Sequence, residues 1–188
     1  MPAQERKLTA NIPKETWEPI FFETINQRAA MANLEPLRAA ALQGNDMEVR
    51  LWNGFGLTPL EGFILRRTAG QWSAIQLHGI HPRIPRNEYQ TTLGPPKSGW
   101  DLCWQRLESA GILTLPDASA IGCTTMIEDG MSYVVEFNVN ATYRTYLYDN
   151  PTYAKCNEAK QMIKIANTIS DEFDVPKMST KSNASYEP

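Results

Sequence analysis

Histidine is nearly absent from this chain of 188 residues, cysteine is scarce, and no long apolar run occurs. Each shortage removes a class of function. Two histidines, His78 and His81, leave little material for a metal centre. Cys103, Cys123 and Cys156 are odd in number and far apart, with no Cys-x-x-Cys pair. That pattern predicts reduced thiols in a cytoplasmic protein rather than a disulfide framework. No stretch approaches the roughly 20 apolar residues that a membrane-spanning helix needs. The start, Met1-Pro-Ala-Gln-Glu-Arg-Lys7, has no apolar leader segment, although a secreted chain trimmed of its leader reads the same. Eighteen basic against 21 acidic residues give a net charge of −3, without the basic surplus of a nucleic-acid binder. Neither a membrane, nor nucleic acid, nor a cofactor is expected.

Catalytic signatures are missing as well. Gly54-Phe-Gly56 and Gly94-Pro-Pro-Lys-Ser-Gly99 look like phosphate loops, but neither completes the required spacing, so both read as turns. There is no Gly-x-Ser-x-Gly elbow and no His-Glu-x-x-His pair. Arg66 and Arg67 are adjacent on a predicted strand and point to opposite faces, which rules out a basic patch.

What is present is the patterning of one soluble α+β domain over 14–175, between a flexible arm (1–13) and a disordered tail (176–188). A helix is predicted from Thr16, with Trp17, Phe21, Ile25 and Ala29 on one face, and a short second helix over 37–42. From Met47 the period changes to two, giving a three-strand meander that ends near His78. A proline-rich loop over 79–97 follows. Ser98 then looks like the cap of a helix carrying Trp100, Cys103, Trp104, Leu107 and Ala110, stopped by Gly111. Ile112 to Leu115 reads as a short strand, and Ser132–Phe137 with Tyr143–Tyr148 as a hairpin. A last helix should open at Asn150-Pro151 and close near Asp174, burying Ala159, Met162, Ile163, Ala166, Ile169 and Phe173. The expected order is α-βββ-α-βββ-α: an antiparallel sheet with helices mainly on one face.

Candidate sites follow from that layout. With a three-residue loop, Val139-Asn-Ala141, the hairpin register sets Glu136 opposite Arg144 on an outward face. Arg144, flanked by Tyr146 and Tyr148, is then a candidate clamp for a carboxylate or phosphate; the plainer reading is a cross-strand ion pair. Trp52 and Trp72 are expected outside on adjacent strands, as a partner surface. His78 and His81 are minor metal candidates, because they straddle a strand end. Cys156 reads as a packing residue within the last helix.

The spacing Asp129-Gly-x-x-Tyr133-x-x-Glu136, followed by Tyr143-Arg-x-Tyr-x-Tyr148-x-Asn150-Pro151, resembles the C-terminal part of small uncharacterised bacterial proteins. The resemblance covers 129–151 plus the last helix and carries no activity. The predicted element order is also similar to that of bacterial secretion chaperones, a likeness of fold alone. Two functions are expected. The first is a non-enzymatic, chaperone-like or immunity-like domain that binds another protein or a second copy. The alternative is a small-molecule binder or hydrolase that uses the sheet face around Arg144, Tyr146, Tyr148 and His78.

Overall fold

The alternation in the strand sequences produces a single six-stranded antiparallel sheet in the computed structural model. The structure describes residues 18–39, 46–54, 60–80, 89–125, 131–139 and 142–176, with the backbone alone for 18–22 and 39. The arm 1–13, Trp17, the loop residues 140–141, His81 and the tail from 177 lie outside the described residues. The strands are β1 (Met47–Asn53), β2 (Leu60–Thr68), β3 (Gln71–Ile80), β4 (Gln90–Leu93), β5 (Ser132–Val139) and β6 (Thr142–Asp149). Their spatial order is β4-β3-β2-β1-β5-β6, so the meander and the hairpin join where β1 pairs with β5. The helices are α1 (Glu18–Met31), α2 (Trp100–Ser109) and α3 (Asn157–Phe173). The α+β class and antiparallel sheet agree with the sequence reading. No helix among the described residues is long and apolar enough to cross a membrane.

Period two sends the side chains of each strand to alternate faces. On one face Met47, Val49 and Leu51 of β1, Phe63 and Leu65 of β2, and Tyr133, Val135 and Phe137 of β5 form a core with α2 and α3. Helix α3 contributes Ala159, Met162, Ile165, Ala166 and Ile169, a buried stripe at three- and four-residue steps. Each large aliphatic side chain buried in this way contributes about 1.5–3 kcal/mol. The other face holds a second core of Trp52, Ile64, Leu77, Val134 and Tyr143. It is covered by Ile25, Ala29 and Ala32 of α1 and by Leu37 in the 3₁₀ turn Leu37–Ala39. Helices α2 and α3 therefore share a face, and α1 covers part of the side expected to meet solvent.

Several local expectations are corrected. The sixth strand is β4, inside the stretch expected as loop, whereas 112–114 is turn. Its carbonyls are claimed by side chains of β6, so they are not free to pair as a strand. Helix α2 has Gly99 at its N-cap, with no side-chain cap. The Ser98 amide and hydroxyl instead donate to Glu172 of α3, both at 2.9 Å. Helix α3 begins six residues later than expected. Asn150, at φ 48°, exchanges hydrogen bonds with Met131 instead of capping a helix, and Cys156 is the N-cap. Its sulfur accepts from the Ala159 amide at 3.3 Å. The predicted stop holds: Asp174 takes the left-handed conformation before Val175-Pro176.

Candidate functional site

The hairpin register decides which charges meet, and it differs by one residue from the expected one. Strand β5 pairs Phe137 with Arg144, Glu136 with Thr145 and Val135 with Tyr146, and two residues separate the strands. A slip of one turns every β6 side chain to the other face. The Glu136–Arg144 pair is therefore not formed; the two lie on opposite faces of the sheet.

Arg144, Tyr146 and Tyr148 point toward α2 and α3. Arg144 donates to the carbonyls of Leu113 (2.9 Å) and Leu115. The Tyr146 hydroxyl donates to Ile112 O at 2.9 Å, and that of Tyr148 to Pro116 O at 2.8 Å. Together they clasp the 112–116 segment, and the groups expected to meet a ligand are engaged by the chain itself. The Arg144 guanidinium also lies over the rings of Tyr146 and Phe137, at 5.6 and 6.0 Å.

Glu136 points the other way, into a buried polar cluster under α1. It is 2% exposed. The Trp52 indole Nε1 donates to its Oε2 at 2.6 Å, and the Tyr143 hydroxyl donates to its Oε1 at 2.8 Å. Arg50, 3% exposed, stands directly across from it on β1. Arg50 Nε donates to Glu48 Oε1, and Arg66 Nε from β2 donates to Glu48 Oε2, both at 2.7 Å. Asn138 of β5 faces Glu48 and reaches Leu37 O at 3.5 Å. The alternation Glu48-x-Arg50-x-Trp52 was visible in the sequence; its burial was not. A strand with polar residues on one side normally shows that side to water, and the cover supplied by α1 and the Leu37–Ala39 turn reverses this.

Gly62 is part of the design. It sits across from Trp52, and a Cβ there would come within 3.2 Å of the Trp52 ring and 2.9 Å of Leu77 Cδ1. The missing side chain leaves the indole room to reach Glu136.

Electrostatics divides the two carboxyls. Burial pushes the Glu136 carboxyl above the usual range, although Arg50, Trp52 and Tyr143 all favour its charged form. Burial also acts against an ionised Glu48, but Arg50 and Arg66 together hold it below the usual range. Burial and the neighbouring Glu136 likewise raise the Tyr143 hydroxyl. Arg50 and Arg66 both bond to Glu48, whereas the raised carboxyl of Glu136 opposes Arg50 less fully than an exposed carboxylate would. Arg50 Nη1, also buried, has no hydrogen-bond partner among the described residues.

The remaining expected sites separate. Trp52 is fully buried, and Trp72 is half-buried on the opposite face, with β2 between their strands. Trp72 lies parallel to Trp100 at 6.3 Å, packs on Trp104 and carries the Arg67 guanidinium at 5.2 Å. The two do not form one outer surface. The ring of His78 meets Thr91 Oγ1 at 3.0 Å. Among the described residues no group of three or more His, Cys, Asp or Glu is placed to hold a metal ion. Cys123 and Cys156 are joined in a disulfide, which corrects the expectation of three reduced thiols, and Cys103 is free and buried. No family model matches this chain, and no curated protein matches it.

Proposed function

We propose that this is a ligand-binding domain that holds a small carboxylate at Arg50, under α1. The observation that carries the reading is the Nη1 of buried Arg50, which has no acceptor among the described residues. A buried guanidinium nitrogen without an acceptor is costly, and a ligand oxygen would remove that cost. A carboxylate is the ligand favoured, because its two oxygens match the forked donors of a guanidinium and it carries a single charge.

The Trp52 indole N–H, hydrogen-bonded to Glu136, is the natural reporter. Titration with acetate, succinate or benzoate is expected to move its NMR resonance saturably, and inorganic phosphate is not. Arg50→Lys keeps the charge but loses the forked donors, and should abolish the shift while the protein stays folded. If none of the three carboxylates moves the resonance at up to about 10 mM, where millimolar sites are well filled, the reading fails.

A second reading, a protein-binding domain, draws on Tyr153 and Ile121, which are 60% and 42% exposed. They lie on the two segments that the disulfide joins. Light scattering would favour it by finding a concentration-dependent dimer that Tyr153→Ser dissolves; a strict monomer would count against self-association.

A further inference from the structure

The Cys123–Cys156 bond connects two segments with different duties. Cys123 ends the segment that follows α2 and runs past the outer edge of β6, the terminal strand of the sheet. There the Ala118 amide donates to Leu147 O at 3.2 Å, and the Leu147 amide donates to Asp117 Oδ2 at 2.9 Å. Both outward backbone groups of Leu147 are thus covered, which blunts an edge that otherwise invites strand pairing. Cys156 is the N-cap of α3 and satisfies the Ala159 amide. The two Cα atoms are 6.0 Å apart, an ordinary span for a bridge.

We infer that this disulfide is a staple made in an oxidising compartment, and that it holds the 117–123 cover on the β6 edge while fixing the first turn of α3. Cys103 stands apart from this chemistry. It is buried on α2, and burial, with Glu172 nearby, pushes its thiol up to about 11, where little nucleophilic thiolate forms. Only two of the three sulfurs take part, so the odd cysteine count concealed a pair. Disulfides persist outside reducing compartments, and the staple therefore argues for an extracytoplasmic or comparably oxidising setting. The inference stands independently of the carboxylate site, which lies on the other face of the sheet.

Reduction with dithiothreitol proceeds by thiolate attack on one sulfur, giving a mixed disulfide. The second reagent thiolate then closes the cyclic oxidised reagent, and two electrons and two protons end as S–H groups on Cys123 and Cys156. The full chain exported to a bacterial periplasm, purified without reductant, then denatured and treated with iodoacetamide, is expected to gain one adduct, at Cys103. After reduction it should gain three. Three adducts without reduction would overturn the staple.

Hydrogen exchange of the native protein tests the cover. Reduction should accelerate the Ala118, Leu147 and Ala159 amides by roughly tenfold or more while β1–β2 amides stay protected. Unchanged exchange at Ala118 and Leu147 would remove the role assigned at the edge. Cys156→Ser also removes the bridge and keeps a side-chain acceptor at the N-cap, so it should accelerate Ala118 and Leu147 as reduction does. Cys156→Ala should accelerate all three. Should either variant fail to fold, reduction of the native protein decides the matter alone.

Discussion

Arg50 and Arg144 stand two strands apart on the same sheet and are used in opposite ways. Arg144 is half-buried and spends its terminal nitrogens on the carbonyls of Leu113 and Leu115. Arg50 is buried between two carboxyls, spends Nε on Glu48 and has an Nη1 with no acceptor among the described residues. One fastens a loop; the other balances charge and has a donor left to offer. The comparison teaches that an arginine's role is read from where its nitrogens end, and tyrosine neighbours alone do not reveal it.

Removing each arginine is the strongest test of that contrast. Arg50→Met leaves Glu48 and Glu136 buried with less compensation, and should cost about 3–5 kcal/mol of stability. Arg144→Met leaves two carbonyls without a charged donor, near half-exposed space, and should cost about 1.5–3 kcal/mol. Urea unfolding of both variants measures the difference. Equal costs would mean that the two arginines are the same kind of fastener.

A smaller effect is expected from two glycines. Gly62→Ala pushes a methyl into Leu77 and the Trp52 ring, and overpacking of this kind costs about 1–3 kcal/mol. It should also displace the Trp52 indole resonance, because the ring is what positions that N–H on Glu136. Gly94 is exposed, and a Cβ there meets nothing within 4 Å. Gly94→Ala should therefore stay within about 0.5 kcal/mol of the parent. If the two variants unfold at the same urea concentration, Gly62 is not making room for the indole.

Much of the fold was legible because helices and strands announce themselves by period. The α3 stripe from Ala159 to Ile169, the stop at Asp174 and the α2 stripe through Cys103 and Leu107 each rest on one residue's neighbours in the chain. The candidate site was not legible, for a reason of the same kind. The expected register rests on a three-residue loop, an apolar face and a Glu136–Arg144 charge pair, but both faces of β5 are covered, so burial could not choose between registers. The pairing that forms lets Arg144 and both tyrosines reach the carbonyls of 112–116, contacts some thirty residues away in sequence. Burial of Glu48, Arg50 and Trp52 likewise depends on α1 crossing the far face, which no local pattern encodes. The disulfide was hidden by an odd count.

The smallest expected effect is a slope, and it bears most directly on whether Arg50 has charge to offer. A carboxyl whose folded-state pKa lies above its unfolded value contributes stability that is fully present below the unfolded pKa. That contribution is lost as pH rises toward the folded pKa. Glu136 is such a group, raised chiefly by burial. Glu48 is the reverse: its carboxyl is depressed by Arg50 and Arg66, and its contribution appears above the unfolded pKa and fades as pH falls. Glu136→Gln removes the first trend and leaves the second, while an amide still offers Trp52 an acceptor. The stability of the parent relative to Glu136→Gln should therefore decline as pH rises above the ordinary glutamate pKa, about pH 4, as read by urea midpoints. A relative stability that rises over that range would mean Glu136 is ionised and held by Arg50. The guanidinium would then be balanced from within, with no net charge left for a carboxylate, and Arg50 would be a fastener like Arg144.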